Sequence, residues 1–409
     1  MFDGDTWADL ATNRRESYFA ADLARNDAAL REAIAGRRFL VIGAAGSIGS
    51  ATLARLADYR PASLHAVDQD ENALAELVRH LRSRPERLTV SDFRALPLDY
   101  GGPIMRQWLA AQPAYDGVLN FSAMKHVRSE KDAYSLLRIL ETNVIKLARF
   151  LGWLREYGHD RAFFSVSTDK AANPTSLMGA SKRIMEHAMF APISKHLAGN
   201  NRAVRSARFA NVAFSNGSLP QSFLIRLERQ QPLAAPRETR RYFVSPRESG
   251  EICLLAALAI PSATIAVPAL DPEKDLIELS GLAERLLRRR GLEPVHYDDE
   301  AAAVANVQAE LARGRYPLLL TPLDTSGEKP YEEFVGVGES LVDLGNLSAL
   351  RGVPYLPAAD GALAAFIAEI EAAMQAAEAP SKAELVAAMA RMVPQMRHVE
   401  TGKSLDNRV

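Results

Sequence analysis

From Arg38 to Phe209 the chain alternates short apolar runs with longer stretches of helical periodicity. "RFLVIG" leads through a glycine-rich turn into the helical "SATLARLADY". "SLHAVD" precedes a helix from Glu71, "RLTVSD" a helix near Met105, and "DGVLNF" a long helix over Ser135 to Glu156. "AFFSVS" precedes a helix from Ser176, and "AVRSARF" closes the series. Parallel strands need long crossovers, usually helical, and right-handed crossovers stack those helices on both faces of one sheet. The rhythm therefore predicts an α/β chain with a doubly wound parallel sheet.

After about residue 212 the rhythm becomes irregular. "PQSFLIRLERQQ" and "DLIELSGLAERLLRRRG" read as amphipathic helices and "YPLLLTPL" as a strand, which together suggest a smaller α/β domain. The stretches 14–36 and 361–394 are Ala-rich and helical in pattern. They fit arms that pack on a neighbouring subunit of a homo-oligomer, or peripheral helices of the same subunit. The expected division is a helical arm at 1–36, a nucleotide-binding domain at 37–212, and a smaller domain at 213–350. Some segments of that smaller domain return to the sheet, and a helical extension follows at 351–409.

Of the 409 residues, 48% are hydrophobic, enough for a large core. A net charge of -1 gives no electrostatic reason to expect nucleic acid or an anionic membrane surface. A single cysteine, Cys253, excludes an internal disulfide and fits a reducing cytoplasm. The histidines show no metal-ligand spacing. The uncharged run 252–270, "ICLLAALAIPSATIAVPAL", approaches spanning length, but Pro261-Ser262 divides it into a buried helix and a buried strand.

Gly43, Gly46 and Gly49 fall between the first strand and the first helix of the series. Gly43 permits a tight turn, Gly46 lets backbone approach a pyrophosphate, and Gly49 allows close helix–strand packing. Ser47 and Ile48 sit inside the same turn, at the helix N-terminus that would face the phosphates. Asp68 ends the next strand, where a carboxylate takes the adenosine ribose hydroxyls of a dinucleotide. Asp70 and Glu71 follow it, and three acids repel a 2′-phosphate, which favours NAD over NADP. The same acids also suit a helix N-cap. Asp92 is expected after the third strand, either at the adenine or in a turn.

The run "STDKAANPTSLMGASKR" at 167–183 has the layout of an oxidoreductase active site. A strand ends in Ser167-Thr168, a polar loop follows, and Met178 stands four residues before Lys182. With "NFSAMKHV" at 120–127, "ETNV" at 141–144, "RFANVAFSNGSLP" at 208–220, "TRRYF" at 239–243 and "GEKPYEE" at 327–333, the sequence resembles an extended short-chain dehydrogenase/reductase. More narrowly, it resembles the UDP-N-acetylglucosamine 4,6-dehydratases of capsule, O-antigen and flagellin-glycan pathways, over about residues 38–345.

That resemblance implies a Rossmann domain and a UDP-sugar substrate. It also implies a reaction in which hydride leaves sugar carbon 4, water is lost across carbons 5 and 6, and hydride returns to carbon 6. By resemblance Lys170 is the base at carbon 5 and Asp169 the acid at the 6-hydroxyl; a structural pair of surface charges is the plainer reading of the two. Lys170 needs a lowered pKa to act as a base, and burial beside Lys182 would lower it. Lys182 would bind the nicotinamide ribose and Thr168 the 4-hydroxyl. The family usually has a tyrosine where Met178 stands, although some members carry methionine. Thr168 acting with Asp169, through water if need be, is the expected substitute for the phenol. Met178 by itself also reads as a core methionine.

Ser122 and Ala123 follow the fourth strand on the cofactor side, and Phe121 departs there from the family's small residues. Lys125 and His126 approach the sugar by resemblance, and Asn143 belongs to the site scaffold. Asn211, Ser215 and Ser218 lie where extended members clasp sugar and diphosphate. Arg241 fits a pyrophosphate anchor because a guanidinium bonds two phosphate oxygens, with Arg240 and Arg237 as alternatives. Glu328 and Tyr331 would brace the small domain or lie on the surface. "LDTSGEK" lacks the arginine and proline that usually precede this Gly-Glu-Lys.

Overall fold

The computed structural model describes residues 4–85, 88–125, 130–194, 202–323 and 329–400. Six strands form in the first half: β1 (Arg38–Ile42), β2 (Ser63–Asp68), β3 (Asp92–Pro97), β4 (Gly117–Asn120), β5 (Ala162–Thr168) and β6 (Ala203–Phe209). They pair in parallel in the spatial order β6-β5-β4-β1-β2-β3. β1 has β2 on one side and β4 on the other, so successive crossovers run in opposite directions from it. Doubly wound sheets bind ligands in the crevice that opens at such a switch point, past the strands' carboxyl ends.

Three later segments complete a nine-stranded sheet. Thr264–Pro268 adds in parallel to β6, then Leu347–Pro354 and Val342–Leu344 add antiparallel. The boundary expected at residue 350 thus falls inside a strand of the main sheet. The central strands are buried almost end to end because helices cover both faces. Helix Ser47–Asp58 packs along helix Pro246–Leu258, where a β-carbon at Gly250 would stand 2.7 Å from Ala51 backbone. Both halves of the 252–270 run are therefore core, as this helix and the strand Thr264–Pro268. Among the described residues no helix is long and apolar enough to cross a membrane.

β3 begins at Asp92, where the sequence reading had it end. β3 is an edge strand, only half-buried, so it lacks the apolar run that marks the central strands. Two three-stranded sheets lie beyond the main one. Asn211–Val212, Arg240–Val244 and Leu276–Glu278 form one; Leu233–Pro236, Glu293–Tyr297 and Arg315–Thr321 form the other.

Both terminal regions pack on their own chain. Helix Gly4–Thr12 lies against strand Arg240–Val244 and helix Leu279–Arg289. Asp22, in helix Ala20–Ile34, accepts from the backbone N–H groups of Ser348 (2.9 Å) and Ala349 (2.8 Å). Helices Ala362–Gln375 and Lys382–Met392 bury Phe366, Ile370, Leu385 and Met389 against Leu136, Ile139, Val144, Leu177 and Ile184. They thereby cover the two helices that flank the candidate site, Ala133–Leu140 and Leu177–Ser194.

Candidate active site

The glycine turn is built by close approach. Gly43 has φ +69°, and a β-carbon there would stand 2.6 Å from the Ser122 nitrogen, so the chain leaving β4 presses directly on the turn. A β-carbon at Gly49 would lie 2.1 Å from the Gly43 carbonyl oxygen. At Gly46 the nearest atom would be 3.4 Å away, which leaves the backbone open beside the N-terminus of helix Ser47–Asp58. Asp68 reaches this turn and accepts from the N–H of Ala45 at 3.0 Å and of Asp70 at 3.2 Å. Asp70 also caps helix Glu71–Ser83, accepting from Ala73 N–H at 2.9 Å. An exposed glycine at position 46, a helix N-terminus and a carboxylate at the end of β2 fit a dinucleotide.

Asp92 does not belong to this group. It pairs in register with Ser63, whereas Asp68 pairs with Pro97, so Asp92 stands at the opposite rim of the sheet. There it binds Ser63 and Arg94 and meets His65 Nε2 at 3.0 Å, and these partners hold its carboxyl well below the usual range. The acid at the carboxyl end of β3 is Asp99, which pairs with Lys146 and accepts from Gly101 N–H at 3.0 Å. "LPLDYGG" held that signal, and misplacing β3 by a strand's length hid it.

On the other side of the switch point, β5 ends at Thr168 and turns into one turn of 3-10 helix, Asp169–Ala171. The Thr168 hydroxyl donates to Asp169 Oδ1 at 2.7 Å. The same oxygen accepts from Lys170 N–H at 2.9 Å and from Lys170 Nζ at 3.1 Å. Asp169 is 2% exposed, and its Oδ2 is buried with no partner among the described residues. A hydroxyl, a carboxylate and an ammonium therefore converge at the carboxyl end of a central strand, with one carboxylate oxygen left for a ligand.

Met178 is 3% exposed, and its N–H donates to the buried Glu130 at 2.8 Å. Lys182 Nζ donates to the Val166 carbonyl at 2.7 Å, and burial pulls its pKa down to about 8. Lys170 meets carboxylates instead: Asp169 at 3.1 Å and Glu332 at 3.8 Å. Lys170 thus has two acidic neighbours, while Lys182 turns its amine to the Val166 carbonyl. Asn143 lies in a π-helical turn, Glu141–Ile145, between helices Ala133–Leu140 and Lys146–Glu156. Its amide binds Met124 N and O and the Ser181 hydroxyl (2.8, 3.0 and 2.9 Å), tying the chain after β4 to the helix that carries Lys182.

Lys125 Nζ donates to the Asn216 carbonyl at 2.9 Å, and Asn216 N–H donates to Ser47 Oγ at 3.0 Å, so the loop holding Ser215 lies against the glycine turn. Asn211 Nδ2 is buried with no partner among the described residues, a donor open to a ligand. Ser218 caps helix Leu219–Glu228. Arg241 Nη1 donates to the carbonyls of Lys329 (3.0 Å) and Pro330 (3.1 Å). Arg237 pairs with Asp298, and Arg240 N–H donates to Pro330 O at 2.8 Å. His126 and Glu328 lie outside the described residues, and Tyr331 is exposed. Sequence reasoning passed over Glu332: nothing in "GEKPYEE" tells which of its glutamates turns inward.

The family model described as polysaccharide biosynthesis protein matches residues 39–312, well over half of the chain. The chain belongs to this family. A relative named "Uncharacterized membrane protein MJ1061", from Methanocaldococcus jannaschii, is 27% identical over 78% of this chain and 86% of its own length. A UDP-N-acetylglucosamine 4,6-dehydratase (inverting) of Campylobacter jejuni is 25% identical over 64% of this chain and 76% of its own. Among solved structures, DesIV, a dTDP-glucose 4,6-dehydratase of Streptomyces venezuelae, superposes with a TM-score of 0.54 at 18% identity, covering 73% of this chain and 88% of that one. This polysaccharide biosynthesis family protein is an extended short-chain dehydrogenase/reductase.

Proposed function

We propose that this protein is a nucleotide-sugar 4,6-dehydratase that uses NAD and takes UDP-N-acetylglucosamine as its substrate. The observation that carries this reading is the Thr168–Asp169–Lys170 cluster, in which one buried carboxylate receives both a hydroxyl and an ammonium. Epimerisation at carbon 4 needs only hydride transfer; loss of water also needs an acid and a base beside carbons 5 and 6. The Campylobacter jejuni relative, named for this dehydration, supports the choice of sugar.

The glycine turn, Asp68 and Lys182 would hold the cofactor. NAD held there would supply the hydride acceptor for carbon 4 and the hydride donor for carbon 6. Thr168 passes the 4-hydroxyl proton to Asp169 over their 2.7 Å hydrogen bond. Asp169, now protonated, gives that proton to the departing 6-hydroxyl. Lys170 removes the carbon-5 proton and afterwards restores one there. Asn211, Ser215 and Arg241 would contact the sugar diphosphate. Asp68 beside the turn favours NAD, because a 2′-phosphate would meet its carboxylate.

The test is incubation with UDP-N-acetylglucosamine and NAD in heavy water. A product lighter by one water before deuterium gain, carrying deuterium at carbon 5, is expected. Unchanged mass with altered stereochemistry, or an untouched sugar, overturns the proposal.

A further inference from the structure

Glu332 is the acidic group that the reaction above leaves without a task. It is 4% exposed, on the segment that follows the small domain and comes back to the main sheet. That segment is fixed tightly against the chain after β5. Val337 N–H donates to Asn173 Oδ1 at 2.9 Å, and Asn173 Nδ2 donates to Glu333 at 2.9 Å. Lys329 Nζ donates to the Asn173 carbonyl. A β-carbon at Gly336 would stand 2.4 Å from the Ala172 carbonyl oxygen, so the two backbones touch. Arg241 grips the same segment through the Lys329 and Pro330 carbonyls.

This stitching places Glu332 Oε1 3.8 Å from Lys170 Nζ and Glu332 Oε2 3.7 Å from Lys329 Nζ. Lys170 therefore stands between two buried carboxylates, Asp169 and Glu332. The charged groups facing Glu332 are Lys170, Asp169, Arg241 and Lys329. Burial, helped by Asp169, raises the affinity of Glu332 for a proton; the three cations oppose it.

We propose that Glu332 is a positioning residue for Lys170, storing the lysine's proton while the neutral amine acts at sugar carbon 5. This rests on the dehydratase reading. Asp169 cannot store that proton, because it is already carrying the one taken from the 4-hydroxyl to the leaving water. In the balanced sequence Lys170 and Glu332 close their 3.8 Å gap to hydrogen-bond distance, and the ammonium gives a proton to the carboxylate. The free amine then takes the carbon-5 proton as the carbon–oxygen bond at carbon 6 breaks. When hydride returns to carbon 6, Lys170 gives a proton back to carbon 5, and Glu332 returns its proton to the lysine. No proton is exchanged with solvent to make the base. The resting pair and the working pair hold the same number of protons, so turnover is level in pH wherever the pair holds one proton.

The test compares wild type, Glu332→Gln and Glu332→Asp on UDP-N-acetylglucosamine across pH. In Glu332→Gln, Lys170 must lose its proton to solvent. Its kcat is expected to fall about 10²-fold at neutral pH and to climb back with rising pH, on a limb that wild type lacks. KM and NAD affinity are expected to hold, and Glu332→Asp to restore part of kcat. A merely structural role would lower the melting temperature and NAD affinity and leave the pH profile's shape alone. A Glu332→Gln profile parallel to wild type, or a kcat within about threefold of it, overturns the proposal. A second reading needs no sugar: the pH dependence of Lys170 modification by an amine reagent, followed by peptide mass spectrometry. Loss of the Glu332 carboxylate is expected to move the Lys170 midpoint to lower pH, and an unmoved midpoint overturns the coupling. A wild type that makes no lighter product sinks the dehydratase reading instead, and the labelling separates the two failures.

Discussion

At the scale of single residues, the absent phenol is the question the chain poses. Met178 is packed in the interior, and its backbone, not its side chain, makes its hydrogen bond. The Thr168 hydroxyl donates directly to Asp169, and in the proposed reaction that bond would carry the proton of the 4-hydroxyl. Thr168→Val is therefore expected to slow hydride transfer about 10²-fold, read from nicotinamide absorbance in a single turnover, with NAD affinity preserved. Met178→Tyr is expected to change that rate by less than about threefold. A large gain would mean that the threonine route is incomplete. Lys182 offers a pH test. Burial pulls the pKa of its amine down to about 8, against 10.5 for an ordinary lysine. Between those values the unfolded chain holds more protons than the folded one, so stability rises with pH there; below 8 the burial cost is felt in full. Lys182→Met is expected to melt higher than wild type at neutral pH without cofactor. That advantage should shrink as the pH climbs toward 10.5.

At the scale of elements, the glycine turn joins sequence to function most directly. Gly49→Ala would force a β-carbon to within 2.1 Å of the Gly43 oxygen, and backbone on both sides leaves it nowhere to go. Helix Ser47–Asp58 would have to lift away from β1, so loss of NAD binding by calorimetry, with a melting temperature lowered by several degrees, is expected. This turn was legible because its chemistry is local: three glycines, one strand and one helix within a dozen residues. The central strands were legible for a similar reason, since burial on both faces writes an uninterrupted apolar run. β3 was not, because an edge strand is half wet and alternates weakly. The π-helical turn at Glu141–Ile145 leaves no mark on helical periodicity either, yet it aims Asn143 at Met124 and Ser181. The residues 168–170 could be read from one stretch of chain. Glu332 could not, because its place beside Lys170 depends on how a distant segment returns to the sheet.

At the scale of the whole molecule, that return is secured by a buried ionic network. Arg208 on β6 is fully buried and bonds Glu186 through Nε (2.8 Å) and Nη2 (2.7 Å). Its Nη2 also bonds Glu339 at 2.9 Å. Arg183 pairs with both glutamates, Ser167 on β5 donates to Glu186 at 2.6 Å, and Gly336 N–H donates to Glu339 at 2.7 Å. Two arginines and two glutamates thus balance in charge, and they join β5, β6, helix Leu177–Ser194 and the segment carrying Glu332. Removing one member leaves a buried charge uncompensated, which is costlier than the pair is stabilising. Glu339→Gln is therefore expected to lower stability by about 3–5 kcal/mol in urea unfolding. The arginines hold Glu186 near 2, against 4.5 for an ordinary glutamate, and hold Glu339 low as well. A carboxyl held low contributes stability above 4.5 that is lost as the pH falls through its folded value, so the gap between wild type and Glu339→Gln should narrow below 4.5. Turnover should fall alongside stability, because freeing the 334–339 segment also frees Glu332 from Lys170. A variant that unfolds within about 1 kcal/mol of wild type would show that the segment is held by its backbone contacts with Ala172 and Asn173 alone.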